Sequence, residues 1–289
     1  MTRWSGALVA LAAFCWGVSG GIGGILVDRD WDPFVVSFYR GGVGLLIVLC
    51  WLCLQPRGSG LGNRRLWFWS VVAGIGVAGN FTFYFISIHH GSLAVAATLM
   101  YCAPVFVYLV SFALKLEKPS LFKWLAVCLV LVGIVLLTGL YEIDAGRVTP
   151  ISLITGLLAG LSYAIFIFGF KYAAPQGSPQ SILTLAFATL ALLLLIPSDF
   201  SQIVSVPGSQ DLYLFAGLGL LGAGLSFFIY VRGLKHTPPA VASIVAMVEP
   251  VTASLFGVTI LGETLEALQL VGMAIVLVTV SAMGVFSRN

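Results

Sequence analysis

Two formal charges lie deep inside apolar stretches of this 289-residue chain, Arg40 and Glu249. A charge among lipid-soluble side chains is costly and ordinarily faces a cavity or a partner. Arg40 stands about seven residues into its run and Glu249 about ten into its own, so at 1.5 Å per residue their depths differ by about 5 Å. Two chemistries follow: a mutual interaction, or a proton taken up and released at Glu249 as a coupling step. The structural alternatives are a guanidinium that snorkels outward along its stem and a neutral acid bonded to a neighbouring helix.

Other polar side chains in these stretches are few, so their spacing is informative. Gly76, Asn80 and Tyr84 recur every four residues, on one helical face, and Gly222, Ser226 and Tyr230 repeat the stripe. Small residues admit a neighbouring helix, while an amide or hydroxyl with a phenol can hydrogen-bond a zwitterion; the same stripe also serves as interhelical glue. Trp16, Tyr101, Tyr163 and Met247 offer the apolar and aromatic walls of a small-molecule pocket, with packing or lipid contact as the alternative for each. The candidate substrate-binding set is therefore Trp16, Asn80, Tyr84, Tyr101, Tyr163, Ser226, Tyr230 and Met247, with Arg40 and Glu249 as coupling or charge candidates. Pro104 and Pro250 fall inside apolar runs, where each removes an N–H and frees the carbonyl four residues earlier, on Met100 and Ala246. Kinks at matching places suit hinges, and they also occur in static bundles. His89 and His90 end a further run, as interfacial side chains or as a pH sensor.

The elements that hold these residues follow from composition. The chain is 60% hydrophobic and 9% charged, with mean hydropathy +1.07, whereas soluble domains carry about a quarter charged residues. Most of it must therefore meet lipid, where each span is a helix bonded within itself. Runs of about 20 apolar residues predict helices near 5–27, 33–54, 67–88, 93–114, 121–140, 151–171, 179–197, 211–233, 239–261 and 267–286. The first, although Arg3 precedes it, is long and carries Phe14 and Trp16, so it reads as an uncleaved span rather than a signal peptide. The separators are short and rich in helix breakers, among them EKPS and KHTPP.

Lysine and arginine collect in alternate loops: Arg57, Arg64, Arg65, Lys115, Lys118, Lys123, Lys171, Arg232 and Lys235 fall on one side, with Arg3 and Arg288 at the ends. The other side holds Arg29 and Arg147 among acidic residues. The positive-inside rule then makes both termini cytoplasmic, which requires an even number of spans. The expectation is an all-α integral membrane protein of ten transmembrane helices.

The second half repeats the first. AVAATLMYCAP (94–104) aligns without a gap to AVASIVAMVEP (240–250), and the same offset sets Glu117 on Glu263 and Tyr84 on Tyr230. Trp16-Gly17 falls opposite Tyr163-Ala164, one residue further along. The domain expectation is two five-helix repeats, 1–146 and 147–289. Five is odd, so the second copy enters the membrane upside down, giving a 5+5 inverted-topology repeat. Two such units can exchange conformations and open a central site to each side in turn.

Other functions find little support. No G-x-x-x-x-G-K-[ST] or H-E-x-x-H motif occurs, so neither ATP drive nor an enzyme is expected, nor any cofactor or metal. Cys15, Cys50, Cys53, Cys102 and Cys128 all fall in apolar runs, where Cys50-x-x-Cys53 reads as small apolar filler. No basic run fits nucleic acid. An anionic sugar phosphate would need several cavity cations, and Arg40 alone is available, so the expected partners are the lipid bilayer and a neutral or zwitterionic small molecule, with protons as a candidate coupling ion. A channel or a membrane-embedded structural or receptor protein remains the non-transport alternative.

These residues resemble the drug/metabolite transporter superfamily, in particular its EamA-type ten-helix exporters. The resemblance covers nearly the whole chain. It is carried by Trp16-Gly17, Arg40, Tyr84 ahead of the alanine-rich AVAATL, and a P-x12-E pattern seen twice, as Pro104 to Glu117 and Pro250 to Glu263. The pair Glu249-Pro250, then Gln269 and Gly272, complete it; the first copy departs with Ala103 and Ala126 at the corresponding places. The resemblance implies secondary export of small metabolites, amino acids foremost and aromatic and neutral ones among them, from a multi-pass protein of the cell inner membrane. Nucleosides, sugars or cationic drugs are the alternative cargo.

Overall fold

The computed structural model describes residues 4–116, 120–143 and 148–286, with side chains to Met283. Arg3, Glu117, Lys118, Asp144, Arg147 and Arg288 lie outside the described residues. Helices begin where the sequence offers caps. The Asp32 carboxylate accepts from the amides of Phe34 (2.8 Å) and Val35 (3.0 Å), with Pro33 at the first helical position, where its missing N–H costs nothing. Ser92, Thr149 and Ser178 do the same at later helix starts, each satisfying an amide that has no partner within its helix.

The chain runs through α1 (Ser5–Asp28), α2 (Pro33–Leu54), α3 (Arg64–His89), α4 (Leu93–Met100), α5 (Ala103–Ala113), α6 (Leu121–Leu137), α7 (Pro150–Ala173) and α8 (Pro179–Leu194). It continues with α9 (Phe200–Ser205), α10 (Leu212–Gly219), α11 (Ser226–Lys235), α12 (Pro239–Val245), α13 (Val248–Phe256) and α14 (Ala267–Phe286). A wide π turn, Leu220–Leu225, joins α10 to α11, and another, Gly257–Leu261, extends α13. No strand occurs among the described residues. Among the described residues, seven helical stretches are long and apolar enough to cross a membrane: α1, α2, α3, Leu93–Ala113, α7, Leu212–Lys235 and Pro239–Leu261. Three shorter apolar stretches accompany them, α6, α8 and Ala267–Met283 of α14.

The predicted runs differ from the helices at several places, three of them with a local cause. Helix α6 stops at Leu137 because Gly139 adopts a left-handed conformation (φ 67°), which ends a helix at no steric cost. The runs at 93–114 and 239–261 each break in two, at Tyr101–Cys102 and Ala246–Met247. Pro104 and Pro250 therefore stand just inside the starts of α5 and α13 rather than in mid-helix. The Ala246 carbonyl is not left free, since the Glu249 amide donates to it at 2.9 Å. A tight three-residue turn has taken up the bond that proline could not make.

Helices of the first half pack on helices of the second: α3 lies along α7, α2 along α8, α6 along α14, and α1 against both α11 and α13. Small residues permit it. A Cβ on Gly76 would stand 2.5 Å from the Phe166 amide, and one on Gly17 would stand 2.5 Å from the Glu249 carbonyl. The outside of the bundle exposes Leu46, Phe68, Ile75, Phe112, Val132, Ile154, Leu192 and Val278. So broad an apolar surface is foreign to a water-soluble monomer and is the lipid-facing belt of a membrane protein. Cys50, Cys53 and Cys128 face the same exterior.

Candidate functional site

Near the middle of α1, α2, α3, α7, the Leu212–Lys235 stretch and the Pro239–Leu261 stretch, the packing leaves a cavity of ≈ 20 Å³, the room of about one water. Trp16, Arg40, Val77, Asn80, Phe81, Tyr163, Phe166, Phe227 and Glu249 line it. Both deep charges thus face one space, from helices 209 residues apart along the chain.

Arg40 does not snorkel. Its Nε donates to the Gly222 carbonyl (3.1 Å) and its guanidinium carbon lies 5.0 Å from the centre of the Phe81 ring, a cation–π contact. The approach depends on glycine, since a Cβ at position 222 would stand 2.6 Å from Arg40 Nε. Gly222 lies within the π turn, a distortion that recurs at functional sites. On the opposite wall Tyr163 donates its hydroxyl to Glu249 Oε2 at 3.2 Å. Glu249 sits in the first turn of α13, held by the Ala246–Met247 break. Arg40 and Glu249 do not form an ion pair; among the described residues the ion pair is Arg29 with Asp211.

Five of the ten substrate and charge candidates from the sequence meet at this cavity: Trp16, Arg40, Asn80, Tyr163 and Glu249. Asn80 also donates from Nδ2 to the Ala159 carbonyl at 3.0 Å, which ties α3 to α7. The other five stand off it. Tyr230 is fully buried with its ring 4.9 Å from that of Trp16, and Ser226 and Met247 are likewise sealed in the core. Tyr101 is buried at the α4–α5 break, and Tyr84 is partly buried beside Phe85. The Trp16 Nε1, Ser226 Oγ and Tyr230 hydroxyl have no hydrogen-bond partner among the described residues. Sequence reasoning passed over Val77, Phe81, Phe166 and Phe227. The offset that sets Tyr84 on Tyr230 also sets Phe81 on Phe227, so the repeat carried a usable signal for that pair.

Both ends of the bundle are fastened between the halves. At one end Arg29 pairs with Asp211, which also accepts from Trp31 Nε1 (2.8 Å). Gln202 there accepts from the Asp32 amide (2.7 Å), and Tyr39 donates to the Ile203 carbonyl (2.7 Å). Asp211 is held below the usual carboxylate range, first by the Trp31 hydrogen bond and then by Arg29. At the other end the fastening is neutral: Asn63 Nδ2 donates to Gln176 Oε1 (2.8 Å), the Ser178 amide to the Ser59 carbonyl (3.2 Å), and Gln180 Nε2 to the Gln55 carbonyl (3.4 Å). A larger cavity of ≈ 290 Å³ is lined by the apolar side chains of Val95, Leu99, Leu140, Ile143, Val148 and Leu153. Among the described residues no group of three or more His, Cys, Asp or Glu side chains is placed to hold a metal ion.

Comparison with known proteins adds a lineage to this geometry. The chain matches the EamA-like transporter family over residues 3–139 and again over 150–285. It is 34% identical over 250 residues to an uncharacterized transporter of Archaeoglobus fulgidus, covering 85% of this chain and 84% of that one. It is 26% identical to the uncharacterized transporter YwfM of Bacillus subtilis, over 93% of this chain and 90% of the relative. With the uncharacterized inner membrane transporter YedA of Escherichia coli K12 it shares 25% over 95% and 90% of the two chains. A crystal structure superposes with a TM-score of 0.78 over 100% of this chain and 99% of that one, at 18% identity, which speaks to the fold alone.

Proposed function

The chain belongs to the EamA-like transporter family, a multi-pass membrane transporter, and from that premise we propose that it exports neutral amino acids, aromatic ones included, by alternating access. It does so as a secondary transporter of the cell inner membrane. Ten spans form two inverted five-helix repeats, 1–146 and 147–289, with both termini in the cytoplasm. The seven long and three shorter apolar helices support that count.

The observation that carries the reading is a central cavity lined from both halves, with the halves bonded to each other at both ends of the bundle. A cavity of ≈ 20 Å³ admits no metabolite, since small-molecule sites run to several hundred Å³. Cargo can enter only when one fastening parts, and it leaves on the far side only when the other does. The two fastenings correspond through the repeat. The 147-residue offset that sets Trp16 on Tyr163 also sets Arg29 on Gln176 and Gln55 on Gln202. Equivalent segments placed at opposite ends are what alternating access between inverted repeats requires.

Amino acids enter as cargo from the family resemblance and from a cavity with one cation and one anion. Uptake of labelled phenylalanine, threonine and methionine into proteoliposomes, with and without a pH gradient, tests this. Saturable uptake with counterflow is expected. Flux that neither saturates nor shows counterflow would mean a channel, and no uptake of the three would remove amino acids as the cargo. A gradient effect that Glu249→Gln abolishes would establish proton coupling at that residue.

A further inference from the structure

Resting on the reading of the central cavity as the transport site, we propose that Arg40 and Glu249 form a two-point clamp for the head group of a zwitterionic α-amino acid whose large apolar side chain lies among the surrounding rings. Arg40 takes the carboxylate, and Glu249 takes the ammonium.

The argument begins from incomplete partnering. Arg40 spends Nε on the Gly222 carbonyl, and its two terminal nitrogens make no hydrogen bond or ion pair with the described residues. Glu249 receives one hydrogen bond, from Tyr163, although a carboxylate can accept about four. Two groups of opposite charge thus line one small space, each held by one side-chain bond among the described residues, and the two do not meet as an ion pair. Isolated charge at membrane depth is expensive, so a ligand that completes both is strongly favoured. An α-amino acid does this with ends only two covalent bonds apart. Its carboxylate matches the free edge of a guanidinium, a fork with parallel donors. Its ammonium meets Glu249 with the Tyr163 ring adjacent, and a cation beside an aromatic face gains further.

The rest of the lining selects the side chain. Trp16 stands 4.9 Å from Phe227 and 6.2 Å from Phe166, while Tyr163 stands 4.4 Å from Phe166, ring centre to ring centre. Such walls suit an aromatic or bulky aliphatic group. They offer nothing to a second charge, which would leave lysine, arginine, aspartate and glutamate side chains unpaired.

Two analogues of phenylalanine separate the poles of the clamp. Phenethylamine lacks the carboxylate and strands Arg40, and 3-phenylpropionate lacks the ammonium and strands Glu249. A charged hydrogen-bonding group left without its partner costs about 10- to 100-fold in affinity, so each should compete with labelled phenylalanine in proteoliposomes that much more weakly than unlabelled phenylalanine does. The variants should then reverse the preference selectively. Arg40→Gln narrows the gap between phenylalanine and phenethylamine without helping 3-phenylpropionate, and Glu249→Gln does the converse. Arg40→Lys keeps the charge and so keeps the discrimination against phenethylamine, which separates recognition from a folding defect. Saturable phenylalanine flux in which both analogues compete as well as phenylalanine on the wild-type protein overturns the clamp and leaves amino acid transport standing. Equal weakening of all three ligands in both glutamine variants, with Arg40→Lys like wild type, also overturns it. Absence of any saturable amino acid flux removes the transport reading and the clamp together.

Discussion

At the scale of single residues, the stripe Gly76, Asn80, Tyr84 shows one spacing divided among different tasks. Gly76 lets α3 touch the backbone of α7, Asn80 bonds across that contact and also reaches the cavity, and Tyr84 stands aside from it. Consequences differ accordingly. Asn80→Ala removes the side-chain bond that ties α3 to the Ala159 carbonyl of α7, a loss of about 1 kcal/mol to be read as a lowered melting temperature in detergent. Gly76→Val forces a branched side chain into the Phe166 backbone 2.5 Å away, where overpacking costs about 1–3 kcal/mol or more. If the melting temperature of Gly76→Val matched wild type, the close α3–α7 contact would be wrong. By contrast Gly20, with open space where its Cβ would lie, should accept alanine with little change.

At the scale of elements, the two fastenings correspond in position but not in chemistry. Arg29 and Asp211 make one of them ionic, while Asn63 and Gln176 make the other a bond between two amides. Salt should therefore act on the ends unequally. Screening shortens from about 10 Å at 0.1 M to 3 Å at 1 M, weakening the ionic end and sparing the neutral one. Distance measurements between spin labels at each end should show the ionic end opening more often as salt rises. Replacing Asp211 by asparagine should produce that state at low salt. The pH dependence has a definite sign. Asp211 is held below its unfolded value of about 3.9, so its contribution is full above about pH 4 and is lost as pH falls through the lower folded value. Acid opening of that end, absent in Asp211→Asn, is the expected pattern. An unchanged response in the variant would assign the opening to other groups.

At the scale of the whole molecule, an inverted repeat predicts that both ends must part once per cycle. Single cysteines at Asn63 and Gln176, or at Arg29 and Asp211, joined by a short bifunctional reagent in a cysteine-free background, should stop net flux whichever pair is joined. Free transport with either pair joined would be incompatible with alternating access. Orientation is open to a separate measurement. A membrane-impermeant maleimide applied to intact cells should label a cysteine at Ser209 and spare one at Ser59, because the proposed topology sets them on opposite faces.

What the chain determined by itself was whatever depends on solvent and on period. Apolar runs of spanning length fixed the helices within a few residues, because lipid leaves a backbone no partner but itself. The depths of Arg40 and Glu249 followed from counting residues along those runs. The self-similarity of 94–104 and 240–250 marked equivalent places without any coordinates. Tertiary structure decided which faces of those helices meet. An apolar helix that is hydrophobic all round carries no stripe to mark its inner side, so Tyr84, Tyr230 and Met247 read as cavity residues as readily as Phe81, Phe166 and Phe227 read as packing. The same limit applied at the breaks. That proline interrupts a helix is local chemistry, but whether the interruption becomes a kink with a free carbonyl or a tight turn that uses it depends on the surrounding helices. The π turn that brings the Gly222 carbonyl to Arg40 likewise had no mark in the sequence beyond a run of glycines. Only the packing of α2 against it gave that carbonyl its partner.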